Sequence, residues 1–235
     1  VNLSYFDYAE ELTPPLKSTE NGALAAIEAG YEHRFGPRLP WASVFASFSP
    51  SSTEFDGSTN SPVMPVVSTT ANHFLKLEGR VGIAVGAVDL YAGLGYRYWL
   101  RRLDYDEYYS WGYGIFGLRY LPAYGFVLDN LRVGLDFSLR PTFDGKLQLE
   151  NYEAGVETAV LNLKERLGAR IELPVQYRFS PRFSLTFSPW YEFSAIGGSD
   201  KVTLYRNGAA YKTAREPSSQ THQYGLASFA NLELR

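Results

Sequence analysis

The chain has no cysteine and a single methionine. The missing thiols exclude a disulfide framework and thiolate metal sites, and they fit an exported protein that does not rely on disulfides. No uninterrupted apolar run approaches the ~18 residues of a membrane helix. A formal net charge of -3 over 235 residues removes any global case for nucleic-acid binding. No metal-ligand spacing and no cofactor motif occur. Gly93-x-Gly95 and Gly112-x-Gly114 fall on strands, where glycine reads as close backbone approach rather than a phosphate cradle. No signal peptide opens the chain, so an exported protein is expected here in its mature form.

What the chain does have is alternation. Leu167, Ala169, Ile171, Leu173, Val175, Tyr177 and Phe179 occupy every second position, against Gly168, Arg170, Glu172, Pro174, Gln176 and Arg178. After Ser180-Pro181-Arg182 the pattern resumes, with Phe183, Leu185, Phe187, Pro189, Tyr191 and Phe193 on one face. A period of two means strands with one apolar and one polar side, and so short a connection makes an antiparallel hairpin. The same reading along the chain gives ten strands. Long connections are expected at 10–20, 49–72, 103–109, 141–155 and 195–221, and short ones at 36–40, 86–87, 122–129 and 180–182. Leu161 and Leu163 are expected to share the face of Leu167. Inside the last excursion, Asn207-Gly208 marks a small hairpin too short to span a bilayer.

Ten strands with short and long connections in turn predict an all-β fold. It is a ten-stranded antiparallel up-and-down transmembrane β-barrel, one domain over 1–235, with 196–221 an extracellular loop carrying the small hairpin. A soluble barrel alternates too, but its apolar face is inside. Reversing the faces here would set Arg80, Arg97, Arg119, Arg132 and Arg170 against lipid, at roughly 2–4 kcal/mol each near the midplane. Aromatics crowd the strand ends (Tyr31 and Phe35, Trp41 and Phe48, Tyr96 and Tyr98, Tyr177 and Phe179, Tyr191 and Phe193), as in the girdles of a membrane barrel.

Over its whole length the chain resembles small bacterial outer-membrane β-barrel proteins, with a strand count similar to omptin proteases and Opc-type adhesins. The resemblance implies a bacterial outer-membrane location, a monomer, contact with outer-membrane lipid and lipopolysaccharide, and insertion by the barrel assembly machinery. It also implies an aromatic last residue, and the chain departs from this with Leu232-Glu233-Leu234-Arg235.

The polar face supplies the candidate lumen: Arg80, Arg97, Arg119, Arg132, Asp136, Arg140, Arg170, Glu172, Arg178 and Glu192. Bases outnumber acids among them, which points to a narrow passive channel with a mild preference for small anions. The alternative is a plugged lumen of mutually neutralised charges under a surface adhesion or ligand-binding protein. Tyr105, Tyr108, Tyr109 and Trp111 beside Asp104, Asp106 and Glu107 form a candidate surface site for glycans. A surface hydrolase is the third reading. His73 and His222 fall near external strand ends, Asp104 and Asp106 could supply carboxylates, and Ser219 lies close to His222, but no spacing signature supports catalysis. No catalytic residue, metal or cofactor is assigned.

Overall fold

In the computed structural model, residues 1–36, 40–59, 62–123, 129–150 and 152–233 are described. Among them there is no helix. The strands are β1 (Asn2–Glu10), β2 (Ser18–Arg34), β3 (Trp41–Ser58), β4 (Pro65–Val85), β5 (Val88–Arg102), β6 (Asp106–Tyr120), β7 (Leu131–Val133), β8 (Leu135–Glu150), β9 (Ala159–Leu163), β10 (Leu167–Glu172), β11 (Val175–Ser180), β12 (Phe183–Ile196), β13 (Val202–Arg206), β14 (Ala209–Ala214) and β15 (Ser219–Leu232). Every pairing is antiparallel, in the order β8-β6-β5-β4-β3-β2-β1-β15-β12; β1 pairs β15 from Asn2↔Ala227 to Glu10↔Ser219, and β10 pairs both β8 and β12, which closes the barrel. Gly134 interrupts one stave into β7 and β8, and Leu173-Pro174 interrupts the next into β10 and β11. Gly134 N–H still donates to Pro174 O at 2.8 Å, so the wall stays bonded across both breaks. Counted as staves, the barrel has the ten expected strands.

The outward face is apolar and exposed. Ile27, Val44, Leu77, Val81, Leu94, Phe116, Leu139, Leu167, Ile171 and Leu226 all look out. An uncovered apolar band of this kind requires hydrocarbon around it. Tyr31, Phe35, Tyr96, Tyr177, Phe179 and Tyr191 are also exposed and border the band.

Three expectations fail, each for a physical reason. First, most of the expected long loops are strand. β3 and β4 stay paired from Ser49↔Phe74 up to Ser58↔Pro65, β8 runs to Glu150 and β6 begins at Asp106. Above the bilayer both faces of a strand meet water or a polar interior. The two-residue pattern fades there while the hydrogen-bond ladder continues.

Second, Leu161 and Leu163 do not share the face of Leu167. They are 1% and 7% exposed, inside the barrel, while Leu167 is 55% exposed. β9 pairs the upper part of β8, with Gly145↔Leu163. Below that point a bulge opposes Ser110–Gly112 to Phe143–Lys146, and Asp144 takes the left-handed conformation at φ 47°. One extra residue reverses the face of the strand. Leu147 and Leu149 therefore point inward although Ser138 and Arg140 do as well.

Third, Trp41 is 1% exposed. It belongs to the lumen, not to a girdle. The atypical chain end, Leu234-Arg235, lies outside the described residues, as do 37–39 and 124–128 of two short turns.

Candidate functional site: a layered lumen

The alternation that sends aliphatic residues outward sends charges and the largest rings inward. Glycine makes room for the rings. A Cβ on Gly95 would overlap the Tyr113 ring, and one on Gly117 would overlap Tyr91, so neither ring could lie flat against its neighbouring strand. All four tryptophans face in, each under a guanidinium. Arg119 sits 4.4 Å above Trp41, Arg170 4.1 Å above Trp190, Arg97 5.7 Å from Trp111 and Arg101 5.8 Å from Trp99. Such pairs let a bulky charged side chain cross a narrow lumen with its cation solvated by a ring face.

The charges stack in layers. At the end with short turns, Asp89 accepts from Arg34 at 2.7 Å and from Arg119 at 2.9 Å, and Arg119 also reaches Glu32 at 2.8 Å. Toward this end Arg132 Nε donates to Gln176 at 2.6 Å, and the Arg178 backbone bonds Asn130.

The middle layer is built on Glu78 and Glu192, whose side chains are 1% and 3% exposed. Glu78 accepts from Arg80, from Arg140 at 2.9 Å and from the Tyr113 hydroxyl at 2.8 Å. Glu192 accepts from Arg97, from Arg140 at 3.2 Å and from Arg170 at 3.3 Å. Arg170 also holds Glu172 at 3.1 Å, and Tyr91 donates to Asp136. Arg140 thus ties the two central carboxylates together across the barrel.

Above lies an aromatic layer. Trp99 stacks on Phe74 at 5.4 Å and on Tyr109 at 4.9 Å, with Tyr8 edge-on at 5.2 Å. Between it and the middle layer is a cavity of about 60 Å³ bordered by Lys76, Arg97, Trp111, Glu28 and Gln223.

The outer layer has the reverse balance. Arg101 meets Glu20 at 2.6 Å, Glu107 at 3.0 Å and Glu10 at 3.7 Å. Glu216 joins them through the Tyr109 hydroxyl at 2.8 Å. Asn72 and Thr53 complete the bonds to Glu20.

Of the residues expected in the lumen, Arg80, Arg97, Asp136, Arg140, Arg170, Glu172 and Glu192 meet in one connected layer. Arg119 belongs to the layer below, and Arg132 and Arg178 lie nearer the short-turn end. The candidate surface aromatics divide. Tyr109 is 0% and Trp111 6% exposed, both inside the lumen. Tyr105 packs edge-on against Tyr152 at 4.9 Å, and Tyr108 lies 6.4 Å from Tyr98 on the outer wall. The structure adds Tyr205 and Tyr211, 47% and 37% exposed on the β13–β14 hairpin. Their signal in the sequence was an Asn-Gly turn with a tyrosine on each arm.

The histidines stand apart from these acids. His222 Nδ1 lies 2.7 Å from the outward Tyr191 hydroxyl, and His73 is 6.3 Å from the outward Phe48 ring. Ser219 is buried inward at 2% exposure, three residues along the strand from His222, so the two fall on opposite faces. The structure does not bring Asp104 or Asp106 to either histidine.

No protein-family model matches the chain, and no curated protein does. Its fold does have counterparts. The outer-membrane protease OmpT from Escherichia coli superposes with a TM-score of 0.65 at 8% identity, over 99% of this chain and 95% of that one. The translocator domain of the autotransporter NalP from Neisseria meningitidis gives a TM-score of 0.43 at 9% identity, over 97% and 86%. At 8% identity the likeness to OmpT is one of fold. A closed ten-stranded barrel with an apolar belt makes this chain an outer-membrane β-barrel of the architecture seen in OmpT.

Proposed function

We propose that this barrel does not conduct solutes and serves as a monomeric binding protein of the bacterial outer membrane, with its outer rim as the working surface. The observation that carries this reading is the Arg80–Glu78–Arg140–Glu192–Arg97 layer, buried and bonded from wall to wall. Opening a path would separate buried charges from their partners at several kcal/mol per ion. The basic excess counted from the strands supports anion selectivity less once the mid-barrel guanidiniums are matched to carboxylates, and the outer layer would repel anions. The exposed Tyr205 and Tyr211, with Arg206 3.8 Å over the Tyr211 ring, suit stacking on a surface glycan. Outer-membrane lipid and lipopolysaccharide would surround the belt, and the assembly machinery would insert the chain.

Planar-bilayer recording of the purified barrel at neutral pH is expected to show no conductance above background. Stepwise channels from the unmodified protein would overturn the closed reading. Glycan binding that persists unchanged in a Tyr205→Ala, Tyr211→Ala double variant would remove the rim from it. A narrow passive channel with mild anion preference is the second reading, favoured by the cavity beside Lys76 and Arg97. The reversal potential in a chloride gradient would register it in the same recording.

A further inference from the structure

Glu216 is the buried acid that the pairing scheme leaves over. The residue is 8% exposed, and its carboxyl accepts from the Tyr109 hydroxyl at 2.8 Å. Among the described residues, no ion pair reaches it. The guanidinium of this layer, Arg101, is engaged by Glu20, Glu107 and Glu10. The Tyr109 hydroxyl also lies 3.3 Å from Glu107, and its one proton cannot serve both acids. Facing Glu216 are Glu10 and Tyr8 of β1, Arg101 of β5, and Glu107 and Tyr109 of β6. Glu20 of β2 lies beyond Arg101, and the adjacent Arg215 is engaged at Ser199 O at 3.3 Å. A second buried carboxylate without its own cation is costly to ionise.

The position of Glu216 gives that proton mechanical leverage. Its backbone is bonded in both directions to Ser199: Ser199 N–H donates to Glu216 O at 2.9 Å, and Glu216 N–H donates to Ser199 Oγ at 2.9 Å. Two residues on, Ser218 O accepts from Glu11 N–H at 2.7 Å on the barrel rim. Ile196, Val202 and Ala214 of the same excursion pack on the lumen core. The 195–221 excursion is therefore held over the outer mouth near one uncompensated acid.

We infer that Glu216 is a proton-operated latch, holding this excursion across the lumen mouth when protonated and loosening it when ionised. Burial first, then the neighbouring Glu10 and Glu107, holds its pKa well above the ordinary carboxylate value. The acid binds its proton more tightly closed than open. Closure is therefore complete below the ordinary pKa and is lost as pH rises through the raised one, with opening gaining about tenfold per pH unit inside that window. The inference does not depend on whether the lumen conducts.

Amide exchange of the full chain in detergent, corrected for intrinsic chemistry and followed from pH 5 to 10, tests it. Heat-modifiable gel mobility would establish that each sample is folded. Residues 197–218 should lose protection about tenfold per pH unit in the window, while β4 and β5 amides do not. Glu216→Gln should abolish the dependence, and Glu10→Gln, which removes a like charge, should shrink it. Unchanged protection across the range in the unmodified protein, or the same dependence in Glu216→Gln, would overturn the latch. Should Glu216→Gln fail to fold, an undiminished dependence in Glu10→Gln would overturn it equally.

Discussion

At mid-barrel Glu192 accepts from three guanidiniums, those of Arg97, Arg140 and Arg170. At the outer end the guanidinium of Arg101 is shared by three carboxylates, and Glu216 has only a phenol. Both layers bury charge beside tryptophan and tyrosine. In the middle the cations outnumber the acids, and the two central carboxylates, Glu78 and Glu192, are each the hub of several cations. At the outer end the acids are in excess, and a proton must supply the balance. The middle layer is therefore neutralised by its own ion pairs, and the outer one is not.

The largest expected effect breaks the middle layer. Glu192→Leu takes the carboxylate from Arg97 and one of two carboxylate partners from each of Arg140 and Arg170, and should cost about 3–5 kcal/mol in reversible urea unfolding from lipid vesicles. A loss below about 1 kcal/mol would mean that water already screens the layer, erasing the contrast with the outer end. Next, Leu94→Arg on the exposed belt should cost about 2–4 kcal/mol in the same assay. The same change at the exposed Thr69 on the upper wall should cost almost nothing. Equal costs at the two positions would misplace the bilayer boundary that separates the two regions. Arg119→Lys keeps the charge but loses the flat stack on Trp41, and should cost about 1 kcal/mol.

The smallest effect compares two acids at the outer end. Glu153 is bonded by Lys212, Tyr211 and Arg206, which pull its pKa down to about 2. Its contribution to the β13–β14 hairpin is complete above the ordinary carboxylate pKa and is lost as pH falls toward about 2. Glu216 should loosen its segment in alkali and Glu153 in acid. Amide exchange showing both segments loosening in the same direction would show that a general effect of pH, not these two groups, controls the rim.

The staves were legible residue by residue. Ile27, Leu94 and Ile171 announce an outward face because strand geometry has a period of two, and five residues suffice to read it. Trp41 and Trp111 were not legible. An aromatic near a strand end suits a lipid girdle and a lumen cation equally, and the choice depends on an arginine on another strand. Leu161 was lost because β9 takes the face of its partner, the part of β8 beyond the bulge, and the alternation along β9 does not show this.

The sequence by itself determined the number of staves, their alternation and the set of side chains denied to lipid, because these follow from local periodicity and the cost of charge in hydrocarbon. Only the tertiary structure decided which charges meet. Arg101 and Glu20 are 81 residues apart, and Arg97 and Glu192 are 95 apart. The register of the closed barrel brings them together, and with it comes the division into a balanced middle and an acid-rich outer end. Residue counts summed over the whole lumen average that division away, because a charge acts over a few ångströms and its neighbours across the barrel are distant along the chain.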